Sequence, residues 1–486
     1  MTEFQFILIS ILYFWGSSTA LSFGIGYYTL YRPLVSGMLA GMILGDITTG
    51  LQTGAIVNLI YIDFVSTGGS FKGDQCLTAV ISAVAAVIFR LSPVESAAIA
   101  YPFGFFGILI WKYRLNINSV FVKIYEKKYN KGLNPNIAIY NGLLPQLLLY
   151  LMSTVVIAFS IGTMIILNNF IYYESIKNIF FIMGILLTFS SIINIIFNLK
   201  KILFILIFVS FLLIVLFFNI SSSFLFFITI VVLLILSYKD IIKDISGFTY
   251  KQESLHINKK DLVYSWIIWM NFSHSCYSYD RLQGMAFAHS MKNIAKKLYK
   301  GNNKVSEVIH EYSDFFNTEP NMGTPIHGYI ISLEEKKIIS NENSDIGYIK
   351  KGMMGIAAGL GDSYTQVVLT PMFITLSILL SLDKNYYVAL LPIILLGIII
   401  LLLSYTGWMK GYYEGKGSLI KRINFVKKSK IKRYSSYIFS ALLGACTGKF
   451  INLSQETFRE NLYIVLVIII LTIIYTIYLI GKHMRS

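Results

Sequence analysis

What most constrains this chain is the recurrence of apolar runs long enough to cross a bilayer. A hydrocarbon core of about 30 Å takes a helix of about 20 residues. Such runs occupy 5–30, 77–111, 143–168, 178–198, 201–219, 222–238, 366–382, 386–406 and 461–481, with a shorter one at 436–451. Length alone would suggest about three soluble domains, but composition overrules that. Charged residues make up 14% of the chain, where a soluble domain carries roughly 25%. The 35 Phe and 33 Tyr against 9 Pro fit long buried helices. The expected fold is an all-α polytopic membrane protein with roughly 10 or more membrane segments.

The 41 Lys and Arg exceed the 25 Asp and Glu by 16. In a soluble protein that excess would point to nucleic acid. Here the basic residues cluster between apolar runs, so the positive-inside rule accounts for them and no nucleic-acid partner is expected. Lys112, Arg114, Lys123, Lys127, Lys128 and Lys131 place that stretch in the cytoplasm. Alternate crossings then bring Lys200-Lys201, the stretch Tyr238–Lys260, the run Lys410–Arg433 and the tail Lys482–Arg485 to the same side. Cysteines introduced near Lys128, Lys251 and Lys428 should therefore react with an impermeant thiol reagent only from the cytoplasmic face. Labelling from outside at any of them refutes this topology.

The start, Met1-Thr-Glu-Phe-Gln, lacks a basic segment, so 5–30 is read as a retained span and not a cleaved signal. Cys76, Cys276 and Cys446 are scattered and give neither a disulfide framework nor a paired-cysteine metal site. Heavy use of Ile, Lys, Asn, Tyr and Phe is what AT-rich coding sequence yields, and a bacterial inner membrane is the expected location.

Two regions are not simple spans. Residues 33–76 are rich in Gly and small polar residues, and 351–362 is Gly-rich inside a polar region covering 264–362. Interrupted segments in both halves of a transporter point to broken helices or re-entrant hairpins around a binding site. The chain is expected to form two membrane units, 1–240 and 261–486, joined by a cytoplasmic linker at 241–260. In the first unit, glycines 37, 41, 45, 50 and 54 offer a face for tight helix contact. Asp46 interrupts that run, either as a helix cap or as a buried functional acid. Asn58, Tyr61 and Asp63 lead into Gly68-Gly69, followed by Lys72-Gly73-Asp74. A break of this kind needs polar partners, from side chains or from a ligand such as a sugar. A plain Lys72–Asp74 surface pair is the alternative.

These stretches resemble the IIC subunit of the mannose–fructose–sorbose family of sugar phosphotransferase permeases. The family run is Arg-Pro-Leu, Leu-Gly-Asp, Thr-Gly, then a Gly-Gly stretch ending near Pro-x-Asp; Asp46 and Asp74 match its two aspartates. The chain departs at Asn58 (commonly Gln or Glu), Asp63 (commonly Gly) and Lys72 (commonly Pro). In the second half, Tyr277-Ser-Tyr-Asp280-Arg281-Leu-Gln283 is similar to the IID opening signature Trp-Asn-Tyr-Glu-Arg-Met-Gln. Phe315-Phe-Asn317-Thr-Glu319-Pro320 and Leu333-Glu334-Glu335 follow, then Gly352-Met-Met-Gly355 through Gly361-Asp362-Ser363. Gly411-Tyr-Tyr-Glu-Gly415 faintly echoes a later motif. Departures here are Tyr277 for Trp, Ser278 for Asn, Gln366 for Trp, Thr370 for Arg and His327 for an aliphatic residue.

The resemblance implies a IIC and a IID subunit in one chain, moving a hexose or amino sugar. A phosphorylated cytoplasmic IIB protein, supplied by IIA, transfers phosphate as the sugar arrives, so this chain is not itself the phosphoryl donor. A homo-oligomer is expected. His256, His274, His289, His310, His327 and His483 form no close pair, and no Gly-x-x-x-x-Gly-Lys loop or metal-ligand spacing occurs, so no catalytic residue, cofactor or metal is expected.

A buried hexose needs acceptors and donors for its hydroxyls, each left unpaired costing about 1–3 kcal/mol. The candidate set is Asn58, Asp63, Asp74, Asp280, Arg281, Gln283, Asn317 and Asp362. Asp46, Gly68, Gly69 and Gly361 are candidate structural positions. Asp280–Arg281 also reads as an ion pair between segments. Asp74 and Asp362 each follow a glycine, which places them at two re-entrant tips. Two rival readings are a transport-incompetent receptor of the same family and a membrane transferase using His289 as base.

Overall fold

In the computed structural model the described residues are 1–18, 20, 22–63, 72–171, 174–198, 202–218, 220–246, 257–340, 345–383, 386–428 and 430–453. They form helices joined by turns, with only isolated bridges at Ser278, Leu282 and Phe316.

Helix α1 (Glu3–Ser17) starts in a capping box, Thr2 accepting from the Gln5 amide while the Gln5 side chain reaches back. It stops at Ser17, because the chain then turns through left-handed Phe23 and Gly24 into a short 3₁₀ turn at Gly26–Tyr28. The expected span 5–30 is thus helical only over its first part. Helices α2 (Pro33–Leu44) and α3 (Ile47–Ile60) form a hairpin. A Cβ at Gly41 would lie 2.7 Å from the Gly50 Cα, and one at Gly37 2.9 Å from the Gly54 Cα, so this approach requires glycine. At 1.5 Å per residue these helices are about 18 and 21 Å long. That falls short of the hydrocarbon core, in keeping with broken elements.

The expected run 77–111 is divided among α4 (Gln75–Ile88), α5 (Pro93–Ala100) and α6 (Gly104–Asn130). Left-handed Arg90 ends the first part, and a Ser92–Glu95 capping box starts the next. A π turn at Ile139–Leu143 leads into α7 (Leu144–Ile171), followed by α8 (Glu174–Asn198), α9 (Ile202–Phe218) and α10 (Ser222–Ser246).

The second half opens with α11 (Lys259–Phe272), α12 (Gly284–Leu298), α13 (Asn302–Tyr312) and α14 (Thr324–Ser340). Then α15 (Ile346–Gly361) passes through a π-helical stretch, Asp362–Leu369, into α16 (Thr370–Leu382). The Gly-rich segment expected to break here instead stays helical and widens. Helices α17 (Leu391–Glu414), α18 (Lys416–Lys428) and α19 (Lys430–Leu453) complete the described residues; the expected span 461–481 lies outside them.

Among the described residues, five runs are long and apolar enough to span a membrane: Pro93–Asn130, Ile139–Asn168, Ile176–Ile196, Ile346–Leu382 and Leu391–Glu414. Six shorter apolar helices are also present among the described residues. The two sequence halves interlock. One hydrophobic core takes Ile56 from α3, Phe208 from α9, Leu376 and Leu380 from α16, and Leu443 from α19. Gly444 lets α19 pass so near α9 that a Cβ would lie 2.3 Å from the Phe208 carbonyl oxygen. Beside a second core, Glu335 accepts from the Tyr412 hydroxyl at 2.6 Å and the Ile257 amide at 2.9 Å, while Glu334 takes the hydroxyls of Tyr299 and Tyr312. The Leu-Glu-Glu and Gly-Tyr-Tyr-Glu-Gly motifs are therefore joined as packing.

Candidate ligand site

A cavity of about 530 Å³ lies between the two halves, within the roughly 300–1,000 Å³ range of small-molecule sites. Its first-half wall comprises Tyr27, Tyr28 and Tyr31 from the turn after α1, Trp111 and Arg114 of α6, and Gln146 of α7. Facing them are His274, Tyr277 and Tyr279 from the turn before α12, Asn317–Asn321, and Asp362 and Gln366 of the π-helical stretch.

First-half side chains hold the second-half wall in place. Asn118 Nδ2 donates to the Tyr277 carbonyl at 2.9 Å and Gln146 Nε2 to Ser275 Oγ at 2.8 Å. Arg281 pairs with Glu126 of α6 and donates to Ser313 Oγ at 2.5 Å. Gln283 clamps the Thr318 backbone twice, donating to its carbonyl and accepting from its amide, each at 2.9 Å. That clamp fixes Asn317, whose Oδ1 accepts from the Tyr277 hydroxyl at 3.1 Å and whose amide nitrogen has no hydrogen-bond partner among the described residues.

Next to it, Glu319 is buried and accepts four bonds. They come from the Tyr28 hydroxyl at 2.9 Å, Asn321 Nδ2 at 3.0 Å, and the amides of Asn321 and Met322 at 3.1 and 2.5 Å. Tyr28 belongs to the first half, so this carboxylate ties the walls together. A Cβ at Gly361 would lie 2.3 Å from the Glu319 Cβ, so glycine is required where α15 passes it. At the next residue, the half-buried Asp362 accepts from Gln366 Nε2 at 3.1 Å through Oδ1. Its other oxygen has no hydrogen-bond partner among the described residues. A π-helical stretch beside a cavity is a frequent functional arrangement.

A second void of about 20 Å³, room for a water-sized group, adjoins the cavity and shares Tyr27 and Gln366 as lining. Arg32, Asn58, Gln75 and Thr370 also line it. Arg32 Nε, Asn58 Nδ2, Gln75 Nε2 and Gln366 Oε1 are buried there without a partner among the described residues.

The expected site residues divide accordingly. Asn317 and Asp362 stand on the cavity wall, Asn58 on the small void, and Gln283 behind the wall. Asp74 is the N-cap of α4, accepting from the Cys76 and Leu77 amides, both at 3.0 Å, and from the Tyr13 hydroxyl at 2.9 Å. The paired re-entrant tips are thus corrected: Asp74 begins a helix and Asp362 lies within a helical run. Asp46 caps α3 through the Thr49 amide at 3.0 Å. Asp63 pairs with Lys72 and accepts from Asn194 Nδ2 at 2.7 Å, so Lys72 bridges to Asp63 and not to Asp74. Asp280 is exposed, and Arg281 pairs across the halves with Glu126 in its place. Gly68 and Gly69 lie outside the described residues.

Sequence reasoning missed Glu319, Tyr28, Gln146, Trp111, Arg114 and His274. Glu319 was visible inside the Phe-Phe-Asn-Thr-Glu-Pro block; Tyr28 carried no signal within an apolar run. His289 Nδ1 accepts from Asn141 Nδ2 at 3.2 Å, the ring packs on Phe272, and it is not on the cavity wall. His327 is fully buried against Trp269, Phe287 and Trp408, filling an aromatic core. Among the described residues no group of three or more His, Cys, Asp or Glu is placed to hold a metal ion.

Comparison with known proteins accounts for both halves. The family described as PTS system sorbose-specific IIC component matches residues 3–238, and PTS system mannose/fructose/sorbose family IID component matches 256–479. The chain belongs to the mannose/fructose/sorbose family of phosphotransferase permeases. It carries a IIC and a IID component in one multi-pass protein of the bacterial cell membrane. The mannose-specific EIID component of Escherichia coli K12 is 29% identical over 182 residues, which is 37% of this chain and 64% of that protein. The Fructose permease IID component of Bacillus subtilis 168 is 28% identical over 201 residues, 41% of this chain and 72% of that protein. The alignment thus spans somewhat under two thirds of the E. coli relative's length. A solved complex of the mannose transporter ManYZ with microcin E492 has a chain 27% identical, with TM-score 0.32, covering 40% of this chain and 70% of its own. Asn58, Gln366 and Thr370, read from the sequence as departures from the resembled motifs, come together around the small void.

Proposed function

We propose that this chain carries a sugar across the membrane through the cavity between its IIC and IID units, and presents it to a phosphorylated cytoplasmic IIB partner. The unit boundary is placed within 241–260. The observation that supports this reading best is the origin of the cavity wall. Neither half supplies it alone, and Glu319 links the two. The wall offers what hydroxyls need: an open carboxylate oxygen on Asp362, the Asn317 amide, and aromatic faces at Trp111 and the tyrosines. Binding energy comes from completing these hydrogen bonds out of water. Phosphate added to the sugar would place negative charge beside Asp362 and weaken that fit, which favours release.

The test is sugar binding to purified protein, paired with uptake and chemical phosphorylation in a host lacking other permeases. Asp362→Asn removes a charged acceptor on the wall and should weaken binding about 10-fold, the scale of one charge-assisted hydrogen bond. Asp74→Asn keeps a good N-cap and should leave affinity within about 2-fold while lowering stability slightly. Equal affinities for parent and Asp362→Asn would remove this acid from the site. Binding without uptake would favour a receptor.

A further inference from the structure

The charges on the cavity wall are unevenly satisfied. Both Glu319 oxygens are already engaged, and Asp362 keeps one oxygen open. The Arg114 side chain is the reverse case. Arg114 as a residue is only 3% exposed, it lies on the cavity wall, and among the described residues no carboxylate pairs with it. Among the described residues its one hydrogen bond, to the His274 carbonyl, is 3.5 Å long, and its Nε has no partner. The guanidinium instead lies over the Trp111 ring, 4.3 Å from the centroid. A buried guanidinium with five donors and no counter-ion is costly, and its planar fork matches a carboxylate bidentately.

We propose that the ligand itself supplies that counter-ion, and that this site takes a sugar acid, an aldonate or uronate, with its carboxylate on Arg114. Its hydroxyls then face Asp362 and Asn317 on the opposite wall, and Trp111 covers the guanidinium. This inference rests on the cavity being the sugar site and narrows its substrate class. A second buried guanidinium, Arg32, borders only the void of about 20 Å³, which has room for one or two atoms. The carboxylate is therefore assigned to Arg114. Phosphate on a transported sugar shares the same chemistry. An acid that already occupies Arg114 leaves that later phosphate without this partner.

Titration calorimetry of the intact purified chain tests the assignment, using glucose, gluconate, glucuronate and glucose 6-phosphate, and the corresponding mannose and galactose series. In the unmodified protein at least one acid should bind 10-fold or more tighter than its parent hexose, and the 6-phosphate no tighter than the hexose. Arg114→Gln should erase the preference for the acid while the parent hexose still binds. Neutral hexoses binding as well as their acids, in a manner sensitive to Asp362→Asn, would overturn the acid assignment and leave the sugar site standing. A 6-phosphate bound more tightly than every acid would give Arg114 to the product and likewise overturn it. Preference lost on Arg32→Gln but kept on Arg114→Gln would overturn the placement. Failure of every compound to bind would bring down the sugar reading as well.

Discussion

Replacing Glu319 with alanine is expected to destabilise the protein by about 3–5 kcal/mol and to abolish measurable ligand binding. The side chain accepts from Tyr28, Asn321 Nδ2 and two backbone amides; the three nitrogens would lose this acceptor while buried, and Tyr28 would keep only Thr365 Oγ1 at 3.3 Å. One orphaned donor costs about 1–3 kcal/mol. The sum is reduced because the loop can relax, which sets the figure near the upper end of single-substitution effects. Glu319→Gln keeps the shape but turns an NH₂ group toward donors, so an intermediate loss is expected. Thermal unfolding in detergent measures the stability, and calorimetry on the surviving folded fraction measures binding. An alanine variant as stable as its parent would show that Glu319 does not join the halves.

The second large effect concerns Lys449→Met. Lys449 on α19 donates to Asp383 at 2.9 Å, and its side chain is 6% exposed. The other Asp383 oxygen accepts from the Ser222 amide at 2.9 Å, at the first residue of α10. Removing the cation leaves a partly exposed carboxylate unpaired, a change that costs about 3–5 kcal/mol in fully buried pairs. Asp383 keeps some exposure, so the lower figure is expected. Adding Asp383→Asn should recover part of the loss, because a neutral amide still accepts from Ser222 without an unpaired charge. No recovery in the double variant would mean that packing, and not the ion pair, fixes α19 against α16.

The overall class was legible because apolar length and the scarcity of charge are local properties of the sequence. The family blocks were legible because their residue order survives substitution. What escaped were the properties that depend on partners far along the chain. Asp74 and Asp362 look alike in sequence, each after a glycine. Yet free amides of a starting helix claim the first, while the second remains inside a widened helical run with an open oxygen. Glycine clusters signalled close approach but not its outcome: at α2–α3 it makes a short hairpin, and at Gly361 it admits a glutamate. The sequence names Asp280–Arg281 as an ion pair between segments but not its partner: folding brings Arg281 to Glu126, 155 residues earlier, and leaves Asp280 exposed. Arg114 was counted as a surface topogenic charge. Its burial against Trp111 depends on a turn of the second half that no local pattern marks.

The central claim is that the two units share a single ligand site. Cutting the chain within 247–256 and expressing the two parts separately and together tests it most directly. Sugar binding and uptake should return when both fragments are co-expressed and co-purify, with affinity near that of the intact chain. Neither fragment alone should bind. A single fragment that binds the sugar with the intact chain's affinity would contradict the shared cavity.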